Sequence, residues 1–524
     1  MQKEATTAGK VYLVGAGPSD PGLLTIKGLK VLQRAQVVIY DALIGPGVYS
    51  LIPQSTEKIF VGKRAGRHSL RQEQISRLIL EQALLGRIVV RLKGGDPFLF
   101  GRGAEELELL ESHGIAYEIV PGVTAALAVP AYAGIPVTCR GVSSSVHILT
   151  GHQKEDEALD LDFAALLRAE GTYVFLMGMS ALHEITTGFL QAGMAPEMPA
   201  AVIAQGTGAG QRSVIAQLAS LEQEVCRQGL QAPAVIVIGE AALLGERLSW
   251  RERLPLAGCR IAVTRPASRS ERLKELLREQ GAEVMELPTI GTRLRDCKKQ
   301  LAQALSAIQD YEYLVFTSAA GVDCFFELLD EMELDVRCIG TVKLAVIGNA
   351  TGAALKKRGL RPELVPERYN STALGRLLGQ SVPAGGKLLL LRSSMAGQEL
   401  VDEIQKAYQE AGTQSSRVEI TDLAVYDTVY TYGETDADDG LYEKALLESG
   451  QIDMVMFTSA STVRGFMRLA AGLDVSNVRA VCIGSMTAAQ ACVYGMQVYQ
   501  AQKETVESMV QAAVQVQQAN LLSR

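Results

Sequence analysis

Four segments in the first half of the chain hold the residue types that chemistry needs. VGAGPSDPGLLT follows an apolar run that begins at Val11. A Gly-rich turn at a strand end lets a ligand approach the backbone closely. It is not a dinucleotide fingerprint, because Asp20 occupies the third glycine position and Pro18 interrupts the motif. YDALI places Asp41 at the end of another apolar run. VGKRAGRH gathers Lys63, Arg64 and Arg67 in a Gly-rich loop. That cluster suits a carboxylate-rich ligand gripped bidentately by Arg, or it is a solvated basic loop. RLKGGDPFLFGRGAEE sets Gly94 and Gly95 at the carboxyl end of a strand, where open α/β sheets bind ligands. Asp96 can bond a ribose or a ligand amine there, or cap a helix.

The second half repeats itself. IAVTRPASRSERLKELLREQGAEV resembles KLLLLRSSMAGQELVDEIQKAYQEAG, with Arg265 and Arg392 in matching turns. YLVFTSAAGV resembles MVMFTSASTV, and LAVIGNATGAAL resembles AVCIGSMTAAQA. The order strand–Arg, T-S-A, I-G-x-x-T therefore occurs twice. Thr317, Ser318, Thr458 and Ser459 fall at strand ends, where hydroxyls and backbone N–H groups hold anions such as carboxylates or cap the next helix. Two similar α/β lobes facing each other make a cleft.

The elements that position these residues read as α/β. VYLVGAG, VVIYD, IVVRLKGGD and YEIVPGV are apolar runs ending in Gly, Asp or Pro. HILTG, YVFLMG, AAVIAQGT and AVIVIGE form a second series. Alternation with helical stretches implies a largely parallel architecture in two lobes, with a boundary near 125–145. Residues 246–256 read as a charged connector carrying Trp250, the only tryptophan. Ile119–Cys139 has no charge and is long enough to span a bilayer, but Pro121, Pro130 and Pro136 favour a buried strand, a turn and a helix start.

Composition sets the limits. A chain of 524 residues suggests about three or four domains. With 48% hydrophobic and 21% charged residues, global disorder is excluded. The formal charge of −7 argues against an obligate nucleic-acid binder while allowing a local basic cleft. The eight cysteines include no C-x-x-C pair, which disfavours a zinc ribbon and fits a reducing cytoplasm. All five histidines lie before residue 184, so the second half has none for a metal site or a His-based triad. The N-terminus carries no apolar signal core.

VGAGPSDP, YDALI, VGKRAG, KGGDPFLFGRGAEE, PGVTAA and AGIPVT occur in that order, and residues 9–250 resemble the uroporphyrinogen-III C-methyltransferase family. The resemblance implies a two-domain tetrapyrrole methyltransferase (9–245) with S-adenosylmethionine between its α/β domains. It also implies a homodimer and methylation at C2 and C7 to give precorrin-2, with no metal needed. Motif by motif, it implies cofactor contacts at Pro18, Gly94, Gly95, Asp96, Leu99, Thr124, Ala125, Met177 and Gly206. Asp41 matches the proposed proton acceptor, Lys63 the proposed donor, and Arg102 a basic residue near the porphyrinogen. Ser19 stands where many members have Gly, and Gln231–Ala232 where Glu-Ser is frequent. Larger fusions carry a dehydrogenase–chelatase module in front of the methyltransferase. Oxidation and iron insertion are therefore expected to be absent here.

TRP, LPTI, FTSAAGV, AVIGNAT, LRSS, AVYDT, FTSAST and CIGSMT, in order, resemble uroporphyrinogen-III synthase over 257–515. That family implies a bilobal α/β synthase without a cofactor, with lobes of about 257–290 plus 428–524 and 291–427. It implies closure of hydroxymethylbilane to uroporphyrinogen III with inversion of ring D. Tyr426 of AVYDT matches the candidate acid, or is an ordinary core tyrosine. Thr317, Ser318, Thr458, Ser459 and Thr487 would bind propionates or acetates. The expected whole is a cytoplasmic bifunctional enzyme of tetrapyrrole synthesis feeding sirohaem or cobalamin, with tetrapyrrole ligands and no nucleic-acid or membrane partner. The alternative is a methyltransferase with a non-catalytic tetrapyrrole-binding module.

Overall fold

The computed structural model describes residues 9–62, 70–151, 159–265, 270–411, 417–432 and 441–522. Its strands begin with β1 (Val11–Gly15), β2 (Val37–Tyr40), β3 (Glu57–Phe60), β4 (Val89–Lys93) and β5 (Tyr117–Val120). β6 (Val146–Thr150), β7 (Thr172–Leu176), β8 (Pro199–Ala204), β9 (Arg212–Gln217) and β10 (Ala234–Ile238) follow. The second half holds β11 (Arg260–Val263), β12 (Glu283–Glu286), β13 (Ile290–Leu294), β14 (Tyr311–Phe316) and β15 (Lys343–Val346). It ends with β16 (Lys387–Ser393), β17 (Glu419–Tyr430), β18 (Met454–Phe457), β19 (Arg479–Cys482) and β20 (Gln497–Gln500).

The first sheet has the order β3-β2-β4-β1-β5 and is parallel throughout. Its central strands are buried on both faces, so they read as continuous apolar runs. Alternation sends Leu13, Ile39 and Val89 to one core, and Val14, Val38 and Val90 to the other.

The second sheet, β6-β7-β10-β8-β9, departs from the parallel expectation. Only β6 and β7 are parallel; β10 runs antiparallel to both β7 and β8, and β8 antiparallel to β9. For the β8–β9 pair the reason is local. The chain turns back over residues 205–211, and such a short connection joins antiparallel neighbours. β9 and the short edge strand β3 lack long apolar runs and carry little strand signal. The uncharged stretch after Ile119 forms the end of β5 and the helix Ala125–Tyr132, with Pro130 inside it. Among the described residues no helix is long and apolar enough to cross a membrane.

The third sheet, β12-β11-β18-β19-β20, is parallel; the fourth, β13-β17-β16-β14-β15, is parallel except for the β13–β17 pair. Both place the strand–Arg, T-S-A and I-G strands side by side, as β11-β18-β19 and as β16-β14-β15. Each sheet draws its strand–Arg unit from one copy of the sequence repeat and the other two strands from the other copy. The described residues up to Pro288 and from Leu441 onward form one compact unit, and those from Thr289 to Tyr432 a second.

The carboxyl ends of β1, β4 and β5 approach one another backbone to backbone. Gly17 and Gly95 exchange hydrogen bonds, with N–H to O distances of 3.2 and 2.8 Å. A β-carbon on Gly122 would lie 2.2 Å from the Gly95 carbonyl oxygen, and one on Gly15 2.5 Å from the Gly122 Cα. Neither neighbour can give way without moving a strand end. Gly122→Ala is therefore expected to cost about 1–3 kcal/mol or more. Calorimetric melting checks this, with Gly397→Ala, where a β-carbon meets nothing within 4 Å, expected to be silent.

Candidate active site

β4 carries two cations, Arg91 and Lys93, inside a sheet where they are 3% and 6% exposed. Buried charge is tolerated only when it is paired. Glu106, 1% exposed on the helix Gly103–Ser112, supplies one partner. Its Oε1 accepts from Arg91 Nε at 3.2 Å, Lys93 Nζ at 2.9 Å and Gln72 Nε2 at 3.0 Å. The other partner is Asp41, just beyond β2, whose Oδ2 accepts from Arg91 Nη2 at 3.2 Å. Arg91 Nη1 also donates to the carbonyls of Leu92 and Ile39. Burial, reinforced by the neighbouring Arg91 charge, pulls the Lys93 ammonium below its ordinary pKa.

This network fixes Asp41 at the surface of the sheet. Its second oxygen, Oδ1, takes the Leu43 N–H at 3.1 Å. Leu43 in turn abuts Gly94, where a β-carbon would come within 2.6 Å of the Leu43 Cβ. The Asp41 loop and the Gly94–Gly95 turn are thus immediate neighbours. Sequence reasoning singled out Asp41 but missed Arg91, Lys93 and Glu106. The available signal was two cations within an otherwise apolar strand, which must find anions nearby.

Asp96 clasps two loops. Oδ1 caps Phe98 N–H at 2.8 Å, and Oδ2 reaches across to Gly122 N–H at 3.0 Å. Thr124 caps the helix that starts at Ala125, accepting from Ala126 N–H at 3.2 Å. Leu99 packs on the apolar cluster formed by that helix and the second sheet. Pro18 is half-buried in the β1 loop, and its neighbour Asp20 donates N–H to Thr207 Oγ1 at 3.1 Å. Gly206 fits tightly against Val129 of the same helix. Pro18, Gly94, Gly95, Asp96, Leu99, Thr124, Ala125 and Gly206 therefore lie in one connected set of loops. Met177 directly follows β7, with its side chain exposed.

Backbone strain gathers here as well. Seven non-glycine residues among those described have positive φ, and four of them, Phe100, Arg102, Gln205 and Thr207, lie in these loops. Such conformations persist where surrounding structure holds them, and they cluster at ligand sites. Arg102 itself is turned onto its own helix, donating to Glu105 at 2.8 and 2.6 Å from an exposed position. Lys63, Arg64 and Arg67 lie outside the described residues.

In the second half the T-S-A segments do cap helices. Ser318 caps Ala319–Glu331 through Gly321 N–H at 2.9 Å, and Ser459 caps Ala460–Leu469. Ser318 does more, because its Oγ lies 2.9 Å from the hydroxyl of Tyr426 on β17. Tyr426 is 7% exposed and joins the core of the fourth sheet. Thr317 and Thr458 are half-buried beside the caps, and Thr487 is buried within the helix Ser485–Val493. Arg392 is committed elsewhere: it forks onto Asp422, with Nε to Oδ1 at 2.7 Å, and donates to Gly397 O.

Comparison with known proteins matches each half of the chain to a family. Residues 10–222 match the family model for tetrapyrrole (corrin/porphyrin) methylases, and residues 271–511 that for uroporphyrinogen-III synthase HemD. The "Porphyrin biosynthesis protein HemD" of Ruminiclostridium josui is 38% identical over 98% of this chain and 99% of its own. The uroporphyrinogen-III C-methyltransferase of Bacillus subtilis (strain 168) is 39% identical over 67% of this chain and 72% of its own. A solved uroporphyrin-III C-methyl transferase from Thermus thermophilus, complexed with S-adenyl homocysteine, is 38% identical. It covers 45% of this chain and 100% of its own at a TM-score of 0.39. The chain belongs to the porphyrin-biosynthesis family in which a tetrapyrrole methyltransferase is followed by a uroporphyrinogen-III synthase on one polypeptide.

Proposed function

We propose that the second half closes hydroxymethylbilane to uroporphyrinogen III with inversion of ring D. The first half then methylates that product at C2 and C7 to give precorrin-2. The observation that carries the reading is the meeting of three strand ends beside a carboxylate that Arg91 holds in place. S-adenosylmethionine fits these loops: a β-carbon on Gly95 would meet nothing nearer than Ala125 N at 3.9 Å, and the strained turn at Gln205–Thr207 borders the same loops. When bound, it supplies a methyl group already activated on a positively charged sulfur. The loops orient that group for in-line attack, which is where positioning contributes most to the rate. Asp41 stabilises the positive charge that develops on the attacked pyrrole and takes the proton it sheds.

In the synthase half, Tyr426 O–H donates a proton to the departing hydroxyl, with Ser318 Oγ setting its direction. The helix-capping segments after β14 and β18 bind the acetate and propionate groups. We place the protein in the cytoplasm as a homodimer paired through its methyltransferase half.

Anaerobic incubation with hydroxymethylbilane and S-adenosylmethionine tests the whole reading by absorbance and mass. Precorrin-2 is expected to form faster than spontaneous uroporphyrinogen I accumulates. Derivatives of uroporphyrinogen I alone would leave the second half as a tetrapyrrole-binding module. Asp41→Asn is expected to lower methylation kcat about 10²–10⁴-fold while leaving ring closure intact. Tyr426→Phe should do the reverse, slowing ring closure about a hundredfold or more and sparing methylation of supplied uroporphyrinogen III. Arg91→Met leaves Glu106 with Lys93 as its remaining cation and takes the Arg91 bond from Asp41; it is expected to cost about 1–3 kcal/mol of stability or more, read by calorimetric melting.

A further inference from the structure

The third sheet sits directly on the methyltransferase domains. Its edge strand β12 packs against the helix Pro46–Tyr49, and a β-carbon on Gly47 would lie 3.2 Å from the Val284 carbonyl. Tyr442 packs at a tilt on Tyr49 with ring centroids 4.2 Å apart and joins one core of the first sheet. Beside this contact Glu283, 3% exposed on β12, reaches the turn that follows β8. Its Oε2 accepts the Ala209 N–H at 2.7 Å, across 74 residues of chain. Arg260 holds the same oxygen through Nε at 3.2 Å and Nη2 at 3.1 Å. Arg260 is itself anchored, with Nη1 on Gln451 O and its backbone N–H on Asp453 Oδ2.

The turn so held is the one that carries Gly206. Gln205 and Thr207 within it adopt φ of 48° and 68°, which a non-glycine residue keeps only when its surroundings hold it there. Thr207 then meets Asp20 of the Pro18 loop. A continuous line of hydrogen bonds and chain thus runs from Arg260 and Glu283, in the synthase half, to both loops at the methyltransferase site. A buried, charge-assisted hydrogen bond is strong enough to set the position of such a turn.

We propose that Glu283 is a positioning residue for the methyltransferase. It holds the 205–211 turn in its ligand-binding form, so cofactor affinity in the first half depends on a carboxylate contributed by the second. The proposal rests on the reading of these loops as the S-adenosylmethionine site.

The test compares the full-length parent, Glu283→Ala and Glu283→Gln. S-adenosylhomocysteine binding is measured by calorimetry, and both activities by steady-state kinetics. Glu283→Ala is expected to weaken S-adenosylhomocysteine about tenfold. It should raise the KM for S-adenosylmethionine in proportion, with kcat at saturation and hydroxymethylbilane closure unchanged. Glu283→Gln keeps an acceptor oxygen in nearly the same shape, so it folds even if the alanine variant does not. It is expected to recover most of the affinity, remaining about threefold weaker than the parent. Affinities in both variants within twofold of the parent would overturn the proposal. Loss of ring closure in step with loss of affinity would also overturn it, since Glu283 would then only be holding its own sheet together. A parent that does not bind S-adenosylhomocysteine would instead overturn the reading of the site itself.

Discussion

Three strand ends can meet at the first sheet only because Gly15 and Gly122 carry no β-carbon. Any side chain there would strike a neighbouring backbone atom at 2.2–2.6 Å. Without that approach the Gly17–Gly95 bridge would not close, and Asp96 could not span from its own turn to Gly122. The loops would splay, and the strained turns of the second sheet would lose the surface they rest on. Ligand sites in open α/β sheets form at strand carboxyl ends. In this chain, close backbone contact decides which ends converge.

The second constraint is electrostatic. A strand buried on both faces can carry Arg91 and Lys93 only if anions come to it, and they come from two directions. Glu106 arrives from the helix that follows the Gly94–Gly95 turn, and Asp41 from the loop after the neighbouring strand. Removing charge from water is costly, so such a network holds its members in one arrangement. The same logic recurs at Arg392–Asp422 and Lys274–Glu286 in the second half, where it stabilises sheets. At Arg91 the network ends on a partly exposed carboxylate, and there it serves chemistry.

Much of this was legible in the sequence. The apolar runs of β1, β2, β4 and β5 announce themselves because parallel strands are buried on both faces. The order of motifs from VGAGPSDP to AGIPVT, and the doubled T-S-A and I-G-x-x-T segments, resemble the two families that the comparisons show. What escaped depends on contacts distant in sequence. The antiparallel second sheet hinges on where β10 inserts, between β7 and β8, which no local pattern states. The repeat places Arg392 in a turn but does not show that Asp422, thirty residues away, holds it. The hydroxyl pair of Ser318 and Tyr426 joins residues 108 apart, and Glu283 reaches Ala209 across 74. Periodicity reports which face of an element is buried, but not which partner waits there.

The central claim is that the glycine-lined strand ends of the first sheet and the 205–211 turn form one ligand site. Hydrogen–deuterium exchange of the full chain, with and without saturating S-adenosylhomocysteine, tests it most directly. The account expects slowed exchange in peptides covering 16–24, 94–101, 121–125 and 205–211, with peptides of the fourth sheet unchanged. Unaltered exchange in those four segments, or protection confined to other parts of the chain, would contradict it.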